Sequence, residues 1–192
     1  MCKQLVTPLS ALLLGALAST GANADIPLDF HVSGQAVYTQ VSSKSDNLTH
    51  SRFSPTVFQF KGGLEFTDGI LDGIGLQGVV GVPMSDDEKN GMTVEITEQT
   101  GAYITLTNPE HEPSDLKISV LLGYASTELE YHLPRVSTEP HSDTFSGFSF
   151  GFSLQDPIIE GKPYSWTLDC VRSYNDDDLR VDGCGLGVSY AF

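Results

Sequence analysis

From residue 28 to the C-terminus, bulky apolar side chains occupy alternate positions, with Gly, Ser, Thr and other polar residues between them. That period of two is the signature of strands whose two faces differ, and no helical period of useful length competes with it. Eight such runs can be written, at about 28–41, 56–66, 73–83, 93–106, 115–126, 144–155, 163–174 and 181–192. In the second, Phe58, Phe60, Leu64 and Phe66 lie opposite Gln59, Lys61, Gly63 and Glu65. The third sets Ile74, Leu76, Val80 and Val82 against Gly75, Gln77 and Gly81. In the fifth, Leu116, Ile118, Val120, Leu122 and Tyr124 oppose Lys117, Ser119 and Gly123, and in the sixth Phe148, Phe150, Phe152 and Leu154 oppose Ser149, Gly151, Ser153 and Gln155.

The sizes on the two faces decide the architecture. A water-soluble sandwich or lipocalin-like barrel turns its aliphatic side chains inward and shows Lys, Glu and Asp outside. Here the less apolar face is mostly Gly, Ser, Thr and Gln, with occasional Lys61, Glu65, Glu95, Lys117 and Asp169. Small side chains suit a crowded lumen, and the continuous oily face suits lipid. Because lipid offers backbone groups no water, strands cross it only as a closed barrel without free edges. The expected fold is all-β, an eight-stranded antiparallel up-and-down transmembrane β-barrel. No stretch after residue 20 approaches the ~20 apolar residues of a membrane helix, and a net charge of -15 argues against nucleic acid as a partner.

Residues 1–24 read as an export signal: Lys3, an apolar run from Ala11 to Ala18, then Ala22-Asn23-Ala24, the small-x-small pattern before a cleavage site. The barrel domain is then 25–192. Cys2 precedes the apolar run, where a lipidated cysteine would follow it, and it leaves with the signal. Two cysteines remain, Cys170 and Cys184, which in an oxidising compartment points to one disulfide. A metal pair is the weaker reading, since neither CxxC nor HExxH is present.

The export signal, the alternating runs and the C-terminal Gly185-Leu186-Gly187-Val188-Ser189-Tyr190-Ala191-Phe192 together resemble the small bacterial outer-membrane β-barrels. The resemblance implies an integral protein of the outer membrane of a Gram-negative cell. It also implies that Leu186, Val188, Tyr190 and Phe192 form a recognition signal for the barrel-assembly machinery. With both termini periplasmic, the connections at about 42–55, 84–92, 127–143 and 175–180 fall outside, and 67–72, 107–114 and 156–162 inside. The implied partners are membrane lipid and lipopolysaccharide, with a monomer as the expected state. The fourth run fits worst, because Glu98 shares a face with Ala102, Ile104 and Leu106. Glu98 is expected above the bilayer, in a strand extension.

The last hairpin can be registered from its own residues. If Cys170 and Cys184 are opposed, Arg172 faces Asp182, Trp166 faces Val188 and Asp176-Asp177-Asp178 form the tip. Direct opposition brings the cysteine Cα atoms to about 4.5 Å, within disulfide reach.

Chemistry is sparse. His31 and Ser33 share a strand face, and lipid deacylases of the outer membrane use a Ser/His/acid triad, but these two belong at the periplasmic start of the first strand, away from the outer leaflet. His50, His111, His132 and His141 are scattered. The tracts Ser85-Asp86-Asp87-Glu88 and Asp176-Asp177-Asp178 read as solvated loop charge, with Ca²⁺ or Mg²⁺ bridging to anionic lipopolysaccharide as the alternative. No cofactor is expected. An eight-stranded lumen is just wide enough for its own side chains, and Lys61, Glu65, Lys117 and Asp169 are expected to plug it. The sequence therefore predicts a non-enzymatic membrane protein whose outer loops meet lipopolysaccharide or envelope partners. The alternatives are a lipid-modifying hydrolase and a soluble periplasmic carrier.

Overall fold

The structure, a computed structural model, describes residues 27–43, 52–108, 116–132 and 139–192. The export signal with Cys2, as well as His50 and His111, fall outside these residues. Ten strands are present among them: β1 (Leu28–Ser43), β2 (Arg52–Phe53), β3 (Thr56–Phe66), β4 (Ile74–Ser85), β5 (Asp87–Lys89), β6 (Met92–Thr107), β7 (Lys117–His132), β8 (His141–Pro157), β9 (Tyr164–Asn175) and β10 (Leu179–Ala191). A single 3-10 turn spans Gly69–Leu71, its first N–H bonded to the Asp68 side chain.

Eight of the strands form the wall, each antiparallel to its neighbours, and β1 pairs with both β3 and β10, so the sheet closes. Followed across the strands from Asp29, the register runs through Glu65, Gly75, Thr105, Leu121, Gly151, Val171 and Gly183 and returns to β1 at Thr39. A stagger of that size over eight strands tilts them by about 40° and sets a backbone radius of roughly 8 Å. Side chains alone fill such a cylinder.

In the half nearer the chain termini, the large residues face outward. Phe148, Phe150 and Phe152 are 65%, 43% and 46% exposed, while Lys61, Tyr103, Thr105, Ser149, Thr167 and Asp169 point inward and are buried. Small neighbours make room for the one large inward ring: a Cβ on Gly101 would lie 2.8 Å from the Tyr103 ring, and one on Gly123 would lie 2.1 Å from the Ala102 carbonyl oxygen.

At the other end the expectation of small lumen residues fails. Val37, Val41, Phe53, Val57, Val94, Ile96, Leu129 and Val181 form a buried inward cluster, packed by Met92, Tyr131, Phe145, Tyr174 and Leu179. The wall has also split there. β8 leaves β9 above the Phe150–Arg172 pair, and β4 leaves β6 above Gly81–Gln99. The end of the barrel is thus two sheets facing each other over an apolar filling, which is how a sheet pair excludes water in aqueous surroundings.

The strands at this end are longer than the sequence runs. The expected connection 127–143 is mostly strand, with β7 reaching His132 and β8 starting at His141. The expected connection 84–92 holds β5, joined to β6 through Asn90 and Gly91, both at positive φ. Asn-Gly is the sequence that such a tight hairpin prefers. A bulge at Thr97, between Ile96 and Glu98, switches the inward parity of β6 from Val94 and Ile96 to Gln99 and Tyr103. It leaves Glu98 exposed on the outer face of the extension.

Candidate functional site

The lumen is a stack of polar layers around an apolar cluster of Val79, Tyr103, Leu121 and Ala125. Nearest the termini, Lys117 Nζ lies 3.6 Å from Glu65 Oε1, while Thr107 Oγ1 donates to Glu65 Oε2 at 2.7 Å and meets Ser119 Oγ at 2.9 Å. Halfway along, Lys61 and Asp169 form an ion pair with both side chains almost fully buried, and Ser153 donates to the free carboxylate oxygen of Asp169 at 2.5 Å. Above it runs an amide ladder: Gln35 Nε2 donates to Gln59 Oε1 at 2.7 Å, Gln59 Nε2 to Gln99 Oε1 at 2.6 Å, and Gln99 Nε2 to Ser173 Oγ at 3.0 Å. Ser149 donates to the Arg172 carbonyl at 2.8 Å, so the Tyr103 hydroxyl donates to Ser149 Oγ at 3.0 Å. The four lumen charges of the sequence are therefore brought together as two pairs.

Little space is left between these layers. A cavity of about 50 Å³ beside His31, Glu65, Gln77, Thr105 and Lys117 opens toward the termini, and another of about 20 Å³ lies among Gln59, Lys61, Gln99 and Tyr103. These volumes hold a few waters and no continuous passage. Thr105 Oγ1 and Gln35 Oε1, buried without a protein partner, face this space.

His31 and Ser33 lie in the same lower half of the lumen. His31 shares a cavity with Gln77 and overlies Gly63, and among the described residues no hydrogen bond joins it to Ser33. His132 ends β7, and His141 Nε2 sits 3.4 Å from Asp143 at the exposed start of β8. Among the described residues no group of three or more His, Cys, Asp or Glu side chains is arranged to hold a metal.

The acidic tracts serve their own turns. Asp176 accepts the backbone N–H groups of Asp178 and Leu179 at 2.9 and 2.6 Å and the Tyr174 hydroxyl at 2.5 Å. Asp87 accepts the Ser54 N–H at 2.7 Å and pairs with Lys89, whose Nζ also donates to the Arg52 carbonyl, so β5 is clasped to β2. The Lys89 contact, with help from the Ser54 N–H, holds the Asp87 carboxyl below its ordinary range.

The outer wall carries the disulfide. Cys170 and Cys184 are bonded with their Cα atoms 4.1 Å apart, the spacing of a directly opposed non-hydrogen-bonded pair. The same register pairs Asp182 with Arg172 and Val188 with Trp166. One step above the disulfide, Asp182 accepts Arg172 Nε at 2.7 Å and Arg180 Nε at 2.6 Å, and the Arg172 guanidinium lies 5.5 Å from the Phe150 ring centre. Sequence reasoning found the Arg172–Asp182 pair and missed Arg180. Alternation alone would have placed Arg180 on the same face as Asp182.

At the lower rim, Leu186, Val188 and Phe192 face outward and are exposed. Tyr190 packs edge-on against Tyr164 and Phe192, with centroids 5.2 and 4.9 Å apart. With Phe30, Phe66 and Trp166 they make one aromatic belt, and Tyr38, Phe58, Tyr124, Phe148 and Phe150 make another nearer the far end. The outward face between them is apolar, as on a lipid-facing barrel wall.

Comparison with known proteins agrees with this geometry. The sequence matches the family described as "Outer membrane protein beta-barrel domain" over residues 9–192. No curated protein matches it. Among solved structures, the attachment invasion locus protein Ail of Yersinia pestis, crystallised with the heparin analogue sucrose octasulfate, is similar at 15% identity and a TM-score of 0.61, over 86% of this chain and 99% of that one. Neisserial surface protein A is similar at 11% identity and a TM-score of 0.56, over 85% and 97%. The N-terminal β-barrel domain of Pseudomonas aeruginosa OprF is similar at 14% identity and 0.53, over 84% and 97%.

Proposed function

Because the chain belongs to the outer membrane protein beta-barrel domain family and is an integral protein of the outer membrane, we propose that it is a non-enzymatic barrel. In this reading its plugged lumen serves as an anchor, and its extended outer end contacts lipopolysaccharide or surface and envelope partners. The observation that carries this reading is the reversal of polarity along one continuous wall. Below the upper aromatic belt the oily face is outside, and above it the oily face is inside, packed around Leu129, Ile96 and Val181. Such an end is a folded body standing clear of the acyl chains, and an anchor alone has no use for it.

Residues 1–24 are proposed as a cleaved export signal. Leu186, Val188, Tyr190 and Phe192 are proposed as the signal read by the barrel-assembly machinery. The sulfated ligand of Ail is not carried over, because at 15% identity that likeness is one of fold. The non-enzymatic reading is supported by the lumen, where His31 and Ser33 lie unlinked at the end remote from the outer leaflet.

Two measurements test the proposal. Planar bilayers holding the purified protein should show no steady large openings, and such openings would remove the plugged-anchor reading. Mass spectrometry of lipid A from cells with and without the protein should give identical profiles, and a changed acyl pattern would replace the anchor with a hydrolase.

A further inference from the structure

The chain has four arginines, and three of them share one outward wall of the upper end. Arg52 pairs across β2 and β1 with Ser42, Ser42 pairs with Arg180 on β10, and in the adjacent outward row Gln40 pairs with Asp182 and Asp182 with Arg172. Val41 and Val181, the alternating neighbours, are buried inside, so these side chains face out. Asp182 takes one Nε–H from each of Arg172 and Arg180, which holds both guanidinium groups in place and leaves their terminal amino groups for another carboxylate.

A second outward wall carries the opposite charge. On β6 and β7, Glu95 pairs directly with Glu130, and Glu98 with Glu128, on either side of the Thr97 bulge. Like charges directly opposed across strands are destabilising, and among the described residues no Lys or Arg is ion-paired to any of the four. The two walls are diametrically opposed. Between the β1–β10 pair and the β6–β7 pair lie two wall strands on each side, β3 and β4 one way and β8 and β9 the other. They also share a level. Tyr38 stands one outward position below Gln40 on the basic side, and Tyr124 stands two below Glu128 on the acidic side, both in the upper aromatic belt.

We propose that copies of this barrel associate side by side in the membrane plane, the Arg52, Arg172 and Arg180 wall of one copy set against the Glu95, Glu98, Glu128 and Glu130 wall of the next. The complementary faces lie on opposite sides of the same molecule, so the contact is heterologous and extends into rows. Each guanidinium fork can bind a carboxylate bidentately, and the contact neutralises the opposed glutamates. This goes beyond the anchoring role above and replaces the expectation of a monomer.

The test uses the full exported chain in phosphatidylcholine vesicles, with donor and acceptor dyes on separate copies. Energy transfer should exceed the random-mixing level by about twofold and fall to it at roughly 0.5 M salt, where screening lengths shrink to a few ångströms. Arg52→Glu with Arg180→Glu should reduce transfer to the random level, and so should Glu98→Arg with Glu130→Arg. An equal mixture of the two variants should restore it, which also demonstrates that both are folded. Random transfer for the unaltered protein, or a mixture no better than its components, would overturn the proposal. So would enrichment of labelled anionic lipid around unaltered copies that remain dispersed, since the arginine wall would then be a lipid site.

Discussion

Lys61 and Asp169 are the residues whose burial costs most. An ion pair in the middle of a filled lumen survives because Ser153 satisfies the second carboxylate oxygen and the two charges meet directly. Removing one member leaves the other charge stranded, so Asp169→Asn should lower the unfolding free energy by about 3–5 kcal/mol. The pair replaced together, Lys61→Met with Asp169→Leu, should recover most of the loss. Urea titration of the refolded protein, followed by its heat-modifiable gel mobility, measures both. Tyr131, in the apolar filling of the outer end, offers a pH reading. Burial, reinforced by the Asp143 charge, pushes its phenol from 10.0 up to about 12. Because the folded value is the higher one, its contribution to stability is complete below pH 10 and is lost as pH rises through about 12. Absorbance titration at alkaline pH should show tyrosine ionising late, and Tyr131→Phe should remove one equivalent of that late step.

Among the elements, the β9–β10 hairpin is the most legible in the sequence, since opposing two cysteines fixes every pair from Arg172–Asp182 down to the lower rim. Cys170 and Cys184 are 14 residues apart, and a cross-link closing a loop of that length restrains the unfolded chain by about 3 kcal/mol. Replacing both with Ser should lower stability by that order while leaving the barrel closed and its gel mobility intact. Where the hairpin reading stops, a bulge begins: beyond Asp182 the register shifts, so that Val181 meets Tyr174 and Ser173 is left over. The Thr97 bulge does the same to β6. Alternation cannot carry a face assignment across an extra residue, so Glu95, expected inside with Lys61, faces outward above the bulge, whereas Glu98 keeps the outward parity of Ala102 and Ile104 and lies in the strand extension as expected. Asn90-Gly91 carries a hairpin signal inside the expected connection 84–92, where it joins β5 to β6. The lumen charges were legible by parity alone, but their partners were not, since a pairing such as Lys61 with Asp169 depends on the barrel's stagger.

At the scale of the whole molecule, the structure depends on where lipid ends. The sequence rule that large residues point outward held only up to the upper aromatic belt, because alternation gives two faces and says nothing of which solvent each one meets. Along β7 the outward series runs Ile118, Val120, Leu122, Tyr124, Ser126, Glu128, so the outer face becomes polar above Tyr124. The change of solvent therefore falls between Tyr124, which is 59% exposed, and Ser126, whose hydroxyl is bonded to Ser146 at 2.8 Å. An arginine placed on the lipid side of that boundary must be dragged out of water. The cost of such a substitution is about 2–4 kcal/mol near the bilayer midplane and about 0–1 at the interface. Val120→Arg should accordingly cost several times more than Ser126→Arg, although the two sites lie on the same face of the same strand. Denaturant unfolding in lipid vesicles makes the comparison, and repeating it in thinner bilayers should reduce the Val120→Arg penalty while leaving that of Ser126→Arg unchanged. Equal penalties in both lipids would mean that the wall around Tyr124 is not where acyl chains give way to water.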